Sequence, residues 1–480
     1  MRAKLVRCAL GWLALLGAGC SKCGPSADLE VPRDAAPSPG AGCSSGVPSG
    51  FPYQPGCCSY AVGVPAGLAA GFSSHELGPK PAPLDVHLGW GGAPESTMAV
   101  SWRTDAATMV SEVLFGTDAQ AVGAADGPGG GVKLATGHHL LLEGSLLGGS
   151  DDERIHEVHL CGLASATAYA YRVGGPGAWS EVRRFTTAPA AGTGARFKLA
   201  VLGDSRDGPD TWARLEQAVA RQGVSFQLYG GDAVLSGADL RQWTEFFQAS
   251  VADFRVEQLL GTTPTLMVNG NHEGLAAPFV AQFVVPEEVT PGEQAAGKEW
   301  YSFDYGNAHV VGLNDWPRAT ALGRPERDWL AADLARVDRS KAPWLFVFHH
   351  TPLYSCGKHG SNLELRAAWQ PLFDQYRVDL VFAGHDHIYE RSKPIRGLDG
   401  KEGKLAAAGP NGAPIGESGT IYVVTAGAGA PLYPVHDNCA HTERIESVHH
   451  YVLVEVDGRT LRYSALRLDG SVLDQVELSK

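Results

Sequence analysis

The spacing of hydrophobic and polar residues divides the chain into regions with different predicted structures. Between about residues 81 and 188, short runs alternate apolar and polar positions, and glycine-rich turns separate them. The runs are residues 97–102, 111–115, 156–160, 168–173 and 180–187. A period of two is typical of strands with one buried face, so this region is predicted to be an all-β sandwich of roughly 100 residues.

From about residue 195 to residue 480, strand-like and helical patterns alternate. Apolar runs rich in β-branched and aromatic residues occupy 197–202, 224–229, 265–268, 344–348 and 378–382. Such runs predict strands buried on both faces. Amphipathic stretches at 211–220, 327–334 and 363–376 predict helices, and residues 450–478 return to alternating strands with a turn at 457–458. The region is therefore predicted to be a layered α/β domain.

The N-terminal residues have the pattern of an export signal. Residues 1–20 combine a basic start, a short apolar stretch at 8–16 and the small residues 17–19 before Cys20. This resembles a bacterial lipoprotein leader, in which Cys20 would be lipidated and anchor the protein to a membrane; plain cleavage, giving a secreted or periplasmic protein, is the alternative. Residues 21–80 are rich in Pro, Gly, Ser and Ala and are predicted to be a flexible tether.

Composition and cysteine content narrow the possible functions. The chain has 480 residues, enough for two or three domains, and a net charge of −13 with no dense Lys/Arg run. This charge argues against binding to a nucleic acid polymer. Five of the nine cysteines lie between Cys20 and Cys58, which fits an oxidising compartment and allows a small disulfide knot near Cys57. Cys356 and Cys439 either pair with each other or remain separate.

Each of the five apolar runs after residue 195 ends in side chains that can bind a metal. These are Asp204, Asp232, Asn271, His350, His385 and His387. Because the carboxyl ends of neighbouring strands meet, the side chains are expected to converge on one edge of a sheet. Two Asp, one Asn and three His form a hard, mixed oxygen and nitrogen site that suits Zn, Fe or Mn. The pattern therefore points to metal-assisted hydrolysis, most simply of a phosphate ester.

The order of these motifs carries a family resemblance. Gly-Asp, Gly-Asp, Gly-Asn-His-Glu, Val-x-x-His and Gly-His-x-His follow one another, each after a predicted strand. This order resembles the calcineurin-like metallophosphoesterases and, with a β-sandwich in front, their purple acid phosphatase branch. The resemblance covers residues 84–480. It implies a fibronectin-III-like domain at 81–188 and, at 195–480, a catalytic domain built as a metallophosphoesterase β-sandwich flanked by helices.

The resemblance also implies roles for individual residues. Asp204 and His387 would bind a first metal, Asp232 would bridge two metals, and Asn271, His350 and His385 would bind the second. A hydroxide shared by the metals would attack the phosphate. His272 would face the substrate and protonate the leaving group, and Glu273 would orient His272. His359 would contact phosphate or a metal-bound water, unless it is an ordinary loop residue.

Two positions depart from the family pattern. Leu235 stands where purple acid phosphatases carry the tyrosine that gives their colour, and Arg206 stands where other metallophosphoesterases carry a histidine ligand. These departures predict no purple absorption band and a weaker first metal site. Arg206 either holds the substrate phosphate by a two-point contact or pairs with a nearby acid.

The leading prediction is an exported phosphoesterase with two metals that hydrolyses small phosphomonoesters, as acid phosphatases do. A small-molecule phosphodiesterase or nucleotidase is one alternative, and a non-catalytic, metal-binding surface protein is another. A metal-dependent nuclease is disfavoured by the acidic charge. The loops at 287–299 and 397–419 would select the substrate, and their sequences do not identify it.

Overall fold

A computed structural model describes residues 50–148, 151–286, 298–316, 323–406, 418–436 and 438–480. The predicted leader with Cys20, the first part of the predicted tether, most of the predicted substrate loop 287–299 and residues 407–417 of the other loop lie outside these described residues. Among the helices that are described, no segment has the length and apolar character needed to cross a membrane.

The N-terminal part of the described chain is a sandwich of two antiparallel sheets. Its elements are β1 (Ala69–Phe72), β2 (Leu84–Gly89), β3 (Thr97–Asp105), β4 (Glu112–Gly116), α1 (Ala119–Ala124), β5 (Lys133–Thr136), β6 (His138–Leu142), β7 (Glu153–Cys161), β8 (Ala168–Gly174) and β9 (Arg183–Thr186). One sheet has the order β1-β6-β7-β3-β2, and the other has the order β5-β4-β8-β9. Trp102 from the first sheet and Tyr171 from the second are buried in a common core. The predicted all-β region is confirmed.

The predicted flexible tether is wrong for residues 50–80. Strand β1 pairs antiparallel with β6 at the edge of the five-stranded sheet. Tyr53 is buried and its hydroxyl lies 3.1 Å from Nδ1 of His138. Cys58 forms a disulfide with Cys161 on β7, a partner 103 residues away. The Gly and Pro content of this segment is typical of a linker, and the residues that it pairs with are distant in sequence. These contacts therefore leave no local signal.

The following region is the predicted α/β domain. Its strands are β10 (Phe197–Leu202), β11 (Phe226–Tyr229), β12 (Ser250–Val251), β13 (Phe254–Arg255), β14 (Thr265–Met267), β15 (Tyr301–Tyr305), β16 (Ala308–Gly312), β17 (Trp344–His349), β18 (Leu380–Ala383), β19 (Tyr389–Ser392), β20 (Ile395–Asp399), β21 (Glu402–Leu405), β22 (Ile421–Thr425), β23 (Thr442–Glu446), β24 (His450–Asp457), β25 (Thr460–Arg467) and β26 (Val472–Ser479). Its helices are α2 (Pro209–Ala220), α3 (Leu240–Gln248), α4 (Val256–Leu260), α5 (Ala277–Gln282), α6 (Arg324–Arg336) and α7 (Leu363–Tyr376).

Two mixed sheets form the core of this domain. One has the order β14-β11-β10-β24-β25-β26, and the other has the order β15-β16-β17-β18-β22-β19-β23. Their inner faces share a core that contains Leu228 from β11 and Phe346 from β17. Helices α2 and α3 cover the outer face of the first sheet, while α6 and α7 cover that of the second. The layered sandwich flanked by helices is therefore confirmed.

The expectation that the candidate metal ligands share one sheet edge is wrong. Strands β10, β11 and β14 are parallel neighbours in the six-stranded sheet, whereas β17 and β18 are parallel neighbours in the seven-stranded sheet. The apolar pattern of a strand reports that both of its faces are buried, but not which strand lies beside it. The carboxyl ends of both groups nevertheless lie at the same end of the sandwich, as the contacts between their side chains show.

A buried histidine links the seven-stranded sheet to helix α6. Nδ1 of His309 lies 2.7 Å from Oδ1 of Asp304, and its Nε2 lies 2.9 Å from Oδ2 of Asp333. Burial opposes a charge on the ring, but the two carboxylates prevail and raise the pKa of His309 to about 9. The folded protein therefore holds His309 as a cation at neutral pH.

We expect His309→Gln to destabilise the protein by about 3 kcal/mol at pH 6, because a pKa raised by about two units or more stabilises the folded state below the unfolded pKa. This contribution is lost as pH rises through the folded pKa, so the difference from wild type should shrink at pH 10. Urea unfolding at both pH values measures it, with the exposed His75→Gln as control. An equal difference at the two pH values would contradict the prediction.

Candidate metal centre

The six candidate ligands lie in the turns that follow five strands. Asp204 follows β10, Asp232 follows β11, Asn271 follows β14, His350 follows β17, and His385 and His387 follow β18. Asp204, Asp232 and His385 have positive φ angles of 63°, 56° and 68°. Residues other than glycine rarely adopt this left-handed backbone conformation because it costs about 1 kcal/mol or more per residue. Strain at half of the candidate ligands favours a functional role for these turns.

Two glycines of the motifs are required because the backbone there passes close to the carboxylates of Asp204 and Asp232. A Cβ atom at Gly384 would clash with Oδ2 of Asp204, and one at Gly270 would clash with Oδ1 of Asp232. The backbone can therefore pass directly beside both carboxylates only because these positions lack a side chain.

His350 lies at the centre of the group of ligands predicted for the second metal. Its Nε2 is 3.0 Å from Oδ1 of Asn271, 3.2 Å from Nδ1 of His385 and 3.3 Å from Oδ1 of Asp232. Its Nδ1 donates to the carbonyl oxygen of Gly230 at 2.8 Å, which leaves the lone pair of Nε2 free for a metal. Ligands about 2.0–2.1 Å from one ion lie roughly 3 Å from one another, so these four side chains fit a single metal.

Asp204 and His387 form the group of ligands predicted for the first metal. Nε2 of His387 lies 3.5 Å from Oδ1 of Asp204. Nδ1 of His387 donates to the carbonyl oxygen of Pro431 at 2.7 Å, so its Nε2 is also free to bind a metal. Asp204 is completely buried, and both of its carboxylate oxygens lie 3.0 Å from the backbone nitrogen of His385.

Asp232 faces His350 with one carboxylate oxygen and Arg206 with the other. Its Oδ1 faces His350 and accepts a hydrogen bond of 3.0 Å from the backbone nitrogen of His272. Its Oδ2 faces Nε2 of His272 and Nε of Arg206, each 3.7 Å away. The structure thus brings Asp232, His350 and His385 within 4.8 Å of one another with Asn271 beside them, and it pairs Asp204 with His387. The bridging role of Asp232 stays a prediction.

The charges of the site suit a cation. Burial raises the pKa of Asp204 well above its usual range, and the negative charge of Asp232 adds to the shift. Burial and the charge of His350 lower the pKa of His385 to about 3, and burial lowers that of His387 to about 4. Both rings are therefore neutral at pH 7, the state in which imidazole binds metals. Burial opposes a charge on His350, but Asp232 and Asp204 raise its pKa well above the usual range, so without a metal this ring carries a positive charge that a bound ion would replace.

The prediction that Glu273 orients His272 is wrong. Oε2 of Glu273 accepts hydrogen bonds of 2.8 Å from the backbone nitrogens of Asp232 and Gly270, and its Oε1 accepts one of 2.6 Å from that of Ala233. Nδ1 of His272 instead donates to the carbonyl oxygen of Leu235 at 2.7 Å. The turn after β11 leaves backbone N–H groups without strand partners, and the carboxylate satisfies them. Glu273 is thus a positioning residue for Asp232.

Arg206 and His359 lie at the rim of the site. Nη1 of Arg206 pairs with Oδ2 of Asp207 at 2.8 Å, so the predicted ion pair with a nearby acid is present. The ring centroid of His359 is 4.7 Å from that of His385. A disulfide between Cys356 and Cys439 joins the loop that carries His359 to the segment before β23. These two cysteines therefore pair with each other and do not remain separate.

Sequence reasoning missed two further rim residues and one supporting residue. The ring of Tyr433 stacks on His387 with centroids 4.0 Å apart, and Nζ of Lys358 lies 4.3 Å from the Tyr433 centroid. Buried Asp386 accepts a hydrogen bond of 2.9 Å from the backbone nitrogen of His359. Its position between two histidine ligands could have indicated Asp386, whereas Tyr433 lies in a Gly/Pro-rich loop without a local signal.

The two-sheet sandwich carries its candidate Asp, Asn and His ligands at strand ends, and the family model of the calcineurin-like phosphoesterases matches residues 197–389. A model of the purple acid phosphatase N-terminal domain matches residues 83–187. The chain belongs to the purple acid phosphatase family. It is accordingly a metal-dependent phosphoric ester hydrolase, and the family implies a centre with two metal ions.

Individual relatives agree with this membership. Purple acid phosphatase 21 of Arabidopsis thaliana is 31% identical, with 66% of this chain and 68% of that one covered. A purple acid phosphatase of Glycine max is 30% identical over 71% of this chain and 73% of that one. The structure of a purple acid phosphatase from yellow lupin seeds has the same fold, with a TM-score of 0.69 and 21% identity over 83% of this chain and 74% of that one. Together with the disulfides, these relatives suggest an extracellular or secreted protein.

Proposed function

We propose that this protein is an exported phosphoesterase that hydrolyses small phosphomonoesters with two metal ions, each of them Fe, Zn or Mn. The observation that supports the proposal is the cluster of Asp232, Asn271, His350 and His385, together with the pairing of Asp204 with His387. When bound, such ions neutralise the charge of a phosphate and supply a nucleophile from water.

The residues around the ligands would bind and protonate the substrate. His272 has 26% of its side chain exposed, and its Nδ1 is fixed by the Leu235 carbonyl oxygen, so Nε2 is the atom left to face a ligand. A protonated Nε2 would donate to the oxygen of the leaving group. Arg206 and His359 at the rim are proposed contacts for the phosphate oxygens.

Activity on two model esters, measured with the metal content of the same sample, tests the proposal. Two equivalents of metal and faster turnover of p-nitrophenyl phosphate than of bis-p-nitrophenyl phosphate would support a monoesterase. The reverse preference would favour a small-molecule phosphodiesterase or nucleotidase. One or no metal and no turnover would favour a non-catalytic binding protein.

We expect His272→Gln to slow the hydrolysis of alkyl phosphates by about 10²-fold or more, because an alkoxide leaves only with a proton. p-Nitrophenyl phosphate should lose much less, since p-nitrophenolate is stable without one. The kcat values for the two substrates measure the difference, with the exposed His75→Gln as control. An equal loss with both substrates would contradict the role of His272 as an acid.

The iron-loaded protein should lack a purple absorption band. Leu235 occupies the position of the family tyrosine, has 47% of its surface exposed and carries no atom that can bind a metal. The visible spectrum measures this, and Leu235→Tyr is the matched variant that should gain a band. A band in the wild-type protein would refute the prediction.

We also propose a cellular location and domain boundaries for this protein. The residues before Cys20 support a bacterial lipoprotein attached to a membrane through that cysteine, with a secreted or periplasmic protein as the alternative. Wild-type protein in the membrane fraction, released by Cys20→Ser, would support the anchor. The two antiparallel sheets support a fibronectin-III-like domain at 81–188 ahead of a catalytic domain at 195–480.

A further inference from the structure

Arg206 lies among the ligands of the first metal. Only 12% of its side chain is exposed. Its Nε lies 3.7 Å from Oδ2 of Asp232, and its Nη2 lies 3.5 Å from Nε2 of His387. Two of the three candidate ligands of the first metal therefore face the guanidinium group. Other metallophosphoesterases carry a histidine ligand at this position, whereas this chain carries a permanent cation.

The buried Nε of Arg206 has no hydrogen-bond partner among the described residues. A buried N–H group without an acceptor costs free energy, so a position in which Nε of Arg206 found an acceptor would be more stable. Arg206 also lines a pocket of about 350 Å³ together with Asp207, Leu235 and Arg241. Asp207 already holds Nη1 at 2.8 Å on that side, so the guanidinium has a place to which it can withdraw.

The ligands of the second metal are arranged differently. His350 faces Asp232 through the other carboxylate oxygen, Oδ1, and Asn271 and His385 lie next to His350. A cation at Oδ2 therefore opposes a metal in the first site more strongly than one in the second, because the repulsion between like charges falls with distance.

We propose that Arg206 and the first metal ion compete for Asp232 and His387, so that the first site fills only when the guanidinium withdraws toward Asp207. The two metal sites then differ in affinity, and Arg206 sets the difference. This inference rests on the proposed two-metal hydrolase and adds to it the residue that regulates its metal content.

Calorimetric titration of the full-length, chelator-treated protein with Zn²⁺ tests the competition. Wild type should bind two ions with affinities that differ at least tenfold. Arg206→Met, which removes the charge and adds no ligand, should tighten the weaker site at least tenfold and leave the tighter site nearly unchanged. If the first site were weak only because a ligand is missing, Arg206→Met would have no effect and only Arg206→His would tighten it, which would overturn the proposal.

Further variants separate this inference from the function on which it rests. Arg241→Met removes a cation that lines the same pocket but pairs with Asp239, and it should leave both affinities unchanged. Asp207→Asn removes the acid toward which Arg206 withdraws, and it should weaken the first site. Two equal sites in wild type, or equal effects of Arg206→Met and Arg241→Met, would overturn the competition while the hydrolase stands. No binding of Zn²⁺ by any of these proteins would overturn both.

Discussion

Replacing Asp232 by asparagine is expected to lower kcat/KM for p-nitrophenyl phosphate on the order of 10³-fold or more. Oδ1 of Asp232 faces His350, and its Oδ2 faces Arg206, which also lies beside His387, so the change removes a negative charge from both predicted metal sites. The stabilisation that metals give to a phosphoryl transition state amounts to several kcal/mol, and each 1.36 kcal/mol corresponds to about a factor of ten. Steady-state kinetics measures the loss of activity, and metal analysis of the same preparation measures the loss of bound metal.

Asp253→Asn is the matched control for this variant. Asp253 is an exposed aspartate in the turn between β12 and β13, and its replacement should leave kinetics and metal content unchanged. An Asp232→Asn protein that keeps two metals and wild-type turnover would exclude the bridging role.

Replacing Glu273 by alanine is expected to destabilise the metal-free protein by about 3 kcal/mol or more. The change leaves the backbone N–H groups of Asp232, Ala233 and Gly270 without their acceptor. Each buried donor left unsatisfied costs about 1–3 kcal/mol. Because the turn that carries Asp232 loses its support, metal affinity should fall as well. Urea unfolding of the metal-free protein and Zn²⁺ titration measure the two effects.

Glu245→Ala provides the comparison for Glu273→Ala. Glu245 is exposed on helix α3, so its removal should change the free energy of unfolding by less than about 0.5 kcal/mol. If Glu273→Ala behaved in the same way, the three backbone contacts would not support the turn.

Most secondary structure and the positions of the six candidate ligands at strand ends could be predicted because their signals are local. A metal ligand directly after a buried strand requires only the strand and the next few residues, as in β10 with Asp204 or β18 with His385. Helix α7 was predicted over the residues that it occupies, because its apolar spacing is regular and Asn362 caps its start.

The contacts between distant segments could not be predicted from the sequence. The pairing of β1 with β6 and the Cys58–Cys161 disulfide connect positions far apart in the chain, and their local composition resembles that of a linker. Glu273 was placed beside its sequence neighbour His272, but a carboxylate side chain turns toward whichever donors lack partners. For Arg206, the sequence left two roles open because only the fold shows which groups surround the guanidinium.

The division of the ligands between two sheets ties metal content to the integrity of the whole sandwich. Asp204, Asp232 and Asn271 follow strands of one sheet and the three histidines follow strands of the other, so an ion bound by both sets would join the two sheets at one end of the core. A metal ion that binds only the folded state stabilises that state by mass action. The resistance of the protein to heat and proteolysis would then depend on the metal supply of its surroundings, and scarcity of metal would limit its lifetime as well as its turnover.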